Sequence, residues 1–381
     1  MSEWKASWGY RALDFRLFQT LVGNETQRVM LKNNLNGERV RLHFSNRYGV
    51  ESMTFDRVLI APTYDMITAE CQKGEKITFG GSESVTLEPG DEITSDEVEF
   101  SARSGIGFSV STYMSGRCVV SCGVSSYPQP VSRVYNSLPG DFTAMDYFPV
   151  TPQVNFFRPV KDEPEVSFIY GLDRVDVLTD SDVKTIVCFG DSITHQSRWT
   201  GPFTDRIYRK LPGRVSVINC GIGGNRILHD AYALSGYGGL FGEAGVDRFE
   251  KDVFGSGVKI DLIIALHGVN DLLHPVAHYA PPDEKVTSDE IIDGLKTYAR
   301  IAHSRQTPIA GVTLMPWRDF LGSWCADEDA KRLRVNDWIR SNDDYDDYID
   351  FDLLTRDPND TTRLLKLCDS GDNIHPGQAG G

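Results

Sequence analysis

Lys184-Thr185-Ile186-Val187-Cys188-Phe189-Gly190-Asp191-Ser192-Ile193-Thr194 is the stretch on which the reading of this chain turns. Residues 185–189 are an apolar run without alternation, the pattern of a strand buried on both faces in a parallel sheet covered by helices. The run stops at a glycine, which permits a sharp turn, and a serine stands at the start of the segment that follows. Open α/β sheets bind ligands at the carboxyl ends of their strands, so Ser192 would present its hydroxyl there beside a free backbone N–H. Alone the motif is weak, because Gly-Asp-Ser is also an ordinary turn and helix cap.

Downstream, residues 215–218, 262–266 and 309–314 repeat the continuous apolar pattern, separated by segments long enough to hold helices. In residues 288–303, Ile291, Ile292, Leu295, Tyr298, Ala299 and Ala302 recur at helical spacing. The second half is therefore α/β and doubly wound. Upstream the pattern is short β-runs with turn punctuation: 27–32, a turn at Asn36-Gly37, and 39–44, where Val40, Leu42 and Phe44 alternate with polar residues. Further runs at 54–60, 76–79, 84–87, 97–101, 106–113 and 166–169 imply an all-β sandwich or jelly roll. A chain of 381 residues is longer than one core usually fills. Two domains follow, 1–182 and 183–381, with residues 179–182 as a short polar junction.

A net charge of -15 excludes an extended phosphate-binding surface, so no nucleic-acid partner is expected. The amino terminus lacks the apolar segment of a secretory signal, and no later stretch approaches the ~20 apolar residues of a membrane span. The expectation is a cytoplasmic protein without a membrane span. Seven scattered cysteines (71, 118, 122, 188, 220, 325 and 368) fit reduced thiols better than a disulfide framework. Cys118 and Cys122 lack the second pair that a structural zinc needs. The acidic run 342–347 reads as a solvated helix end rather than a cation site.

Three further segments bear on chemistry. Asn219-Cys220-Gly221-Ile222-Gly223-Gly224-Asn225-Arg226 follows the run 215–218, and its glycines let backbone N–H groups approach developing negative charge. A dinucleotide loop fails on spacing, since the glycines do not form G-x-G-x-x-G. After the run 262–266 comes His267-Gly268-Val269-Asn270-Asp271, whose asparagine amide could donate into the same crevice. Asp372-Asn373-Ile374-His375-Pro376 puts a carboxylate and an imidazole three residues apart, where the imidazole can act as base to a serine and the carboxylate can fix its tautomer.

The order GDSI, GxGGN, GxND and DxxH, with three blocks directly after apolar runs, resembles the SGNH/GDSL hydrolase family from about Lys184 onward. The resemblance implies a three-layer α/β/α, flavodoxin-like domain and a serine esterase that works through an acyl-enzyme with no metal or cofactor. It assigns Ser192 as nucleophile and His375 as base and then acid, with Asp372 behind it. The oxyanion hole falls to the N–H groups of Ser192 and Gly224 and the amide of Asn270. This is not the G-x-S-x-G elbow, because Thr194 stands where the second glycine would be. The first half, in Leu42-His43-Phe44-Ser45-Asn46-Arg47-Tyr48-Gly49 and Glu88-Pro89-Gly90-Asp91-Glu92, is similar to bacterial members that carry an amino-terminal β-sandwich. Those members imply a small-molecule or carbohydrate ester, particularly an acetyl ester, as substrate.

Two departures stand out. His195 occupies a position where an acidic residue is common, and a loop or substrate-contact role is expected for it. The chain also stops at His375-Pro376-Gly377-Gln378-Ala379-Gly380-Gly381, short of the last helix usual in the family, so the domain looks truncated. His267, His274 and His278 surround the third block, and Pro275, Pro281 and Pro282 favour an irregular pocket rim over a metal site. Residues 197–202 and 232–245 are expected to be the specificity loops. The competing functions are a lysophospholipase, a thioesterase, or a glycan-binding protein with a weak catalytic half.

Overall fold

The structure is a computed structural model that describes residues 1–126, 132–151, 167–377 and 379–380. It divides into two compact units, residues 1–185 with 204–218, and residues 186–203 with 219–381.

The amino-terminal part is all-β, built on antiparallel sheets. In one sheet Leu172–Asp180 pairs with both Ser2–Gly9 and Gly37–Ser45, and Gly37–Ser45 also pairs with Glu92–Thr94 and Val98–Ala102. A second sheet of six strands includes Ser132–Ser137, Glu25–Leu31, Phe108–Met114 and Arg57–Pro62. Asn36-Gly37 is not the hairpin turn its sequence suggests, because the strands on either side of it lie in different sheets. Gly37 is required for a different reason: a Cβ there would sit 2.3 Å from the Leu178 carbonyl oxygen. The run 54–60 is split into Met53–Phe55 and Arg57–Pro62. The last β-run is seen as Ser167–Tyr170, and Val166 lies outside the described residues.

The α/β part has a five-stranded sheet of β1 (Lys184–Gly190), β2 (Val215–Gly221), β3 (Leu262–Leu266), β4 (Ile309–Val312) and β5 (Asp347–Ile349), in the order 2-1-3-4-5. The register of β1 on β3, β3 on β4 and β4 on β5 is parallel. This is the flavodoxin-like order, in which the switch point lies where the connections reverse, between β1 and β3. The helices are α1 (Ser192–His195), α2 (Thr200–Lys210), α3 (Gly245–Phe254), α4 (Val269–Leu273), α5 (Ser288–Ser304), α6 (Ala326–Ser341) and α7 (Phe351–Thr355). α5 follows its sequence pattern closely, with Thr287 and Glu290 in a reciprocal capping box. Ile291, Leu295, Tyr298 and Ala302 form its buried face. The acidic run after α6 is largely exposed, but Asp347 also opens β5, and Asp346 accepts the Ile309 N–H at 2.8 Å.

Candidate active site

β1 must end in glycine, since a Cβ on Gly190 would lie 2.0 Å from the Leu266 carbonyl oxygen. The next residue, Asp191, caps α1 by accepting the Ile193 N–H at 3.0 Å, and Ser192 is the helix's first residue. Asp191 is fully buried, and its second carboxyl oxygen has no partner among the described residues. Burial raises its pKa to about 7 despite the Ile193 N–H, with the charge of Asp271 adding to the rise.

Ser192 Oγ lies 2.8 Å from His375 Nε2, and His375 Nδ1 lies 2.5 Å from Asp372 Oδ2. A carboxylate only accepts, so Nδ1 carries the proton and Nε2 offers its lone pair to the serine hydroxyl. The other oxygen of Asp372 accepts the backbone N–H groups of His375 and Ile374 at 2.9 and 3.1 Å. Burial pushes this carboxyl up, but the bonds from the imidazole and the two N–H groups outweigh it and hold Asp372 well below the usual carboxylate range. The hydroxyl, imidazole and carboxylate thus form one continuous chain.

The glycine loop after β2 stands beside this chain. A Cβ on Gly221 would meet the His195 backbone nitrogen at 2.4 Å, and Gly223 donates its N–H to His195 Nδ1 at 3.2 Å. Gly224 has φ +71°, and a Cβ on it would press into the Phe241 ring. Asn270, on α4, donates to the Asn225 carbonyl at 2.9 Å. An amide has two such protons, and the Asn225 carbonyl takes one of them.

Sequence reasoning missed the residue that ties these pieces together. Arg248 on α3 is buried, with its guanidinium 4.1 Å from the centre of the Phe189 ring. It donates to the Gly190 carbonyl (2.8 Å), the Cys220 carbonyl (3.0 Å), Asn225 Oδ1 (2.8 Å) and Asp252 (2.8 Å). The available signal was a charge on the same helix face as Gly245, Phe249 and Val253. Also missed were Gln196, whose Nε2 is 3.2 Å from His375 Nε2, and Arg198, whose Nε donates to Gln196 Oε1 at 3.0 Å.

Several expectations need correction. His267 and His274 are buried rather than on a pocket rim. His267 bonds Tyr298 Oη at 3.0 Å and the Asn225 carbonyl at 3.2 Å, while His274 packs against Phe241 and Tyr279. Burial lowers the pKa of His274 to about 3 and that of His267 well below the ordinary histidine value. Only His278 of the three is exposed. Of the two roles expected for His195, the structure shows the loop one: it is buried and accepts the Gly223 N–H of the glycine loop. Residues 200–202 already belong to α2, and Ser197 and Trp199 are buried, so 197–202 is not a free specificity loop. The cysteines, by contrast, form no disulfide, and burial raises the thiols of Cys118 and Cys122 to about 11. Among the described residues no cluster of three or more His, Cys, Asp or Glu side chains could hold a metal ion, and no helix is long and apolar enough to cross a membrane.

A doubly wound sheet with a hydroxyl–imidazole–carboxylate chain where β1 ends is the layout of a hydrolase. Residues 188–381 match the family of GDSL-like lipases and acylhydrolases, and the chain belongs to that family. Among solved structures it is similar to a GDSL-like lipase from Bacteroides thetaiotaomicron, 16% identical over 52% of this chain and 82% of that one, with a TM-score of 0.37. It is also similar to Axe2, an acetylxylan esterase from Geobacillus stearothermophilus, 18% identical over 52% of this chain and 88% of that one, with a TM-score of 0.39. The chain matches none of the curated proteins.

Proposed function

We propose that the protein is a serine esterase that removes short acyl groups, foremost acetyl, from carbohydrate or similar alcohols through an acyl-enzyme. The observation that carries this reading is the 2.8 Å contact from Ser192 Oγ to His375 Nε2, backed by the 2.5 Å contact from Nδ1 to Asp372. His375 takes the serine proton as Oγ attacks the ester carbonyl, and Asp372 stabilises the imidazolium. The carbonyl oxygen becomes an oxyanion that faces the N–H groups of Ser192 and Gly224 and the second amide proton of Asn270. Each such donor is worth about 3–4 kcal/mol of barrier. The imidazolium then protonates the leaving alcohol, and water repeats the sequence in reverse order on the acyl-enzyme.

The carbohydrate part of the reading rests on the likeness of the amino-terminal segments to those of two-domain esterases. It gains support from the half-exposed aromatic cluster in which Tyr237 and Tyr279 pack with Phe241 beside Gly224, since aromatic side chains of this kind can stack on a sugar ring.

The test is hydrolysis of p-nitrophenyl acetate by the wild type and by Ser192→Ala, with EDTA present throughout. Activity that survives EDTA and vanishes in the variant is expected. Full activity in Ser192→Ala would overturn the assignment, and rates that rise from acetyl to long acyl chains would overturn the acetyl preference.

A further inference from the structure

The interaction of Gln196 with His375 has no part in the scheme above. Gln196 is the residue that ends α1, half-exposed, with its backbone N–H on the Ser192 carbonyl at 2.9 Å. Its side-chain nitrogen is 3.2 Å from His375 Nε2, the atom that receives the serine proton. Which end of the amide faces the imidazole is set by Arg198: a guanidinium can only donate, and its Nε points at Gln196 Oε1 at 3.0 Å. The NH₂ end therefore faces His375. Since Nδ1 gives its proton to Asp372, the Nε2 lone pair accepts from both the Ser192 hydroxyl and the Gln196 amide.

We propose that Gln196, held by Arg198, is a positioning residue that directs the proton on His375 Nε2 toward the reacting oxygen. The inference rests on the esterase reading of the site. In the resting enzyme the amide N–H helps fix the imidazole plane. Once Nε2 has taken the proton from Ser192 Oγ, an N–H faces an N–H, and that contact no longer attracts. Among the described residues the proton on Nε2 then faces one acceptor, the oxygen of Ser192, which belongs to the serine ester or, at the leaving step, is replaced by the oxygen of the departing alcohol. Gln196 neither gains nor loses a proton; it removes a competing acceptor.

Of the charged and titratable groups around His375, Asp372 bonds Nδ1 directly, Arg198 reaches Nε2 through Gln196, and Asp369 bridges to the adjacent Pro376. From residues 317–322 the uncharged Phe320 ring packs edge-on at 6.3 Å, and the adjacent Asp319 is ion-paired with Arg363.

Two variants separate the roles of shape and proton direction. Gln196→Met removes the amide but offers no acceptor, and kcat is expected to fall about five- to tenfold with KM little changed. Gln196→Glu places a carboxylate at the same atom, gives the imidazolium proton a second acceptor, and is expected to cost more than tenfold at pH 7 with the acid limb of kcat/KM displaced to higher pH. Arg198→Met frees the amide to turn its oxygen inward and is expected to shift the limb in the same direction by less. The second readout is the low-field proton resonance of the His375 Nδ1–H followed against pH without substrate, whose midpoint is expected to move up in Gln196→Glu. If wild type and Gln196→Glu show the same midpoint and the same acid limb, the proposal is overturned while the esterase reading stands. If the wild type hydrolyses no ester, the reading itself fails, whatever the resonance does.

Discussion

Around Ser192 the bonds join distant parts of the chain: Arg248 bonds the carbonyls of Gly190 and Cys220, Asn219 bonds the Thr194 carbonyl at 2.8 Å, and the Gly223 N–H donates to His195 beside the serine. Around His375 the bonds are local. Asp369 accepts the N–H groups of Gly371 and Asn373, Asp372 accepts those of Ile374 and His375, and Ser370 donates to the His375 carbonyl at 3.0 Å. The two turns also treat carboxylates oppositely. Asp191, buried with one oxygen unpartnered, is pushed up to about 7, whereas Asp372, surrounded by donors, is held below the usual range. A site can thus be assembled from one half that depends on the whole fold and one half that carries its own scaffold.

The comparison breaks most visibly if the base turn proves to be more than local. For His375→Ala, kcat for p-nitrophenyl acetate is expected to fall by about 10⁴-fold or more. Its melting temperature should stay close to wild type, because the backbone bonds of the turn come from Asp369 and Asp372. A large drop in melting temperature would show that the imidazole also holds the turn. Arg248→Met should do the reverse of a purely chemical lesion. It leaves Asp252 and two strand-end carbonyls without their buried donor, and urea unfolding is expected to show a loss of about 3–5 kcal/mol. A loss below ~1 kcal/mol would mean that the strand ends hold themselves. Asn270→Ala is the third step down in effect: kcat is expected to fall by about 10²–10³ with KM nearly unchanged, since the lost donor meets charge only in the transition state.

The same contrast explains what the sequence could and could not tell. The local half was readable: an Asp and a His three residues apart make their contacts inside one turn, and Ser192 follows a continuous apolar strand. Gly190 reads as a sharp-turn residue and the loop glycines at 221, 223 and 224 as giving the backbone access to a ligand, but what crowds Gly190, Gly221 and Gly224 is the protein itself, in Leu266, His195 and Phe241. Arg248 could not be assigned because its value lies in carbonyls on two different strands, and a charge on an apolar face has no partner in a one-dimensional pattern. His274 was misplaced for a related reason. Pro275 suggested an irregular rim, but it directly follows the residue that caps α4, where proline is well tolerated, and the imidazole turns into an aromatic cluster. In the β half, Ser2–Gly9 went unrecognised because its partner, Leu172–Asp180, is at the other end of that region and its buried positions include Lys5 as well as Trp8. Asn36-Gly37 misled because a turn dipeptide specifies local geometry and not which strands pair.

The smallest expected effect sharpens the comparison of the two carboxylates. A buried acid whose pKa rises on folding binds more protons in the folded state than in the unfolded one, so stability falls as pH rises through the interval between the two values. For Asp191 that interval runs from the ordinary carboxylate value, about 3.9, to about 7. Its contribution is fully present below the lower limit and lost above the upper one. Asp372 has the opposite sign: its contribution is present above the ordinary carboxylate value and lost as the pH falls below it, toward its depressed folded value. Asp191→Asn keeps an oxygen for the Ile193 N–H and replaces the unpartnered oxygen with a neutral group, which mimics the protonated acid. The variant is therefore expected to match wild-type stability near pH 4 and to exceed it at pH 8 by on the order of 2 kcal/mol, as read from urea unfolding at the two pH values. Asp271, whose charge adds to the rise at Asp191, is itself raised by burial to about 6. Equal stability of variant and wild type at pH 8 would show that Asp191 is ionised at little cost, and that the fold supplies its second oxygen with a donor.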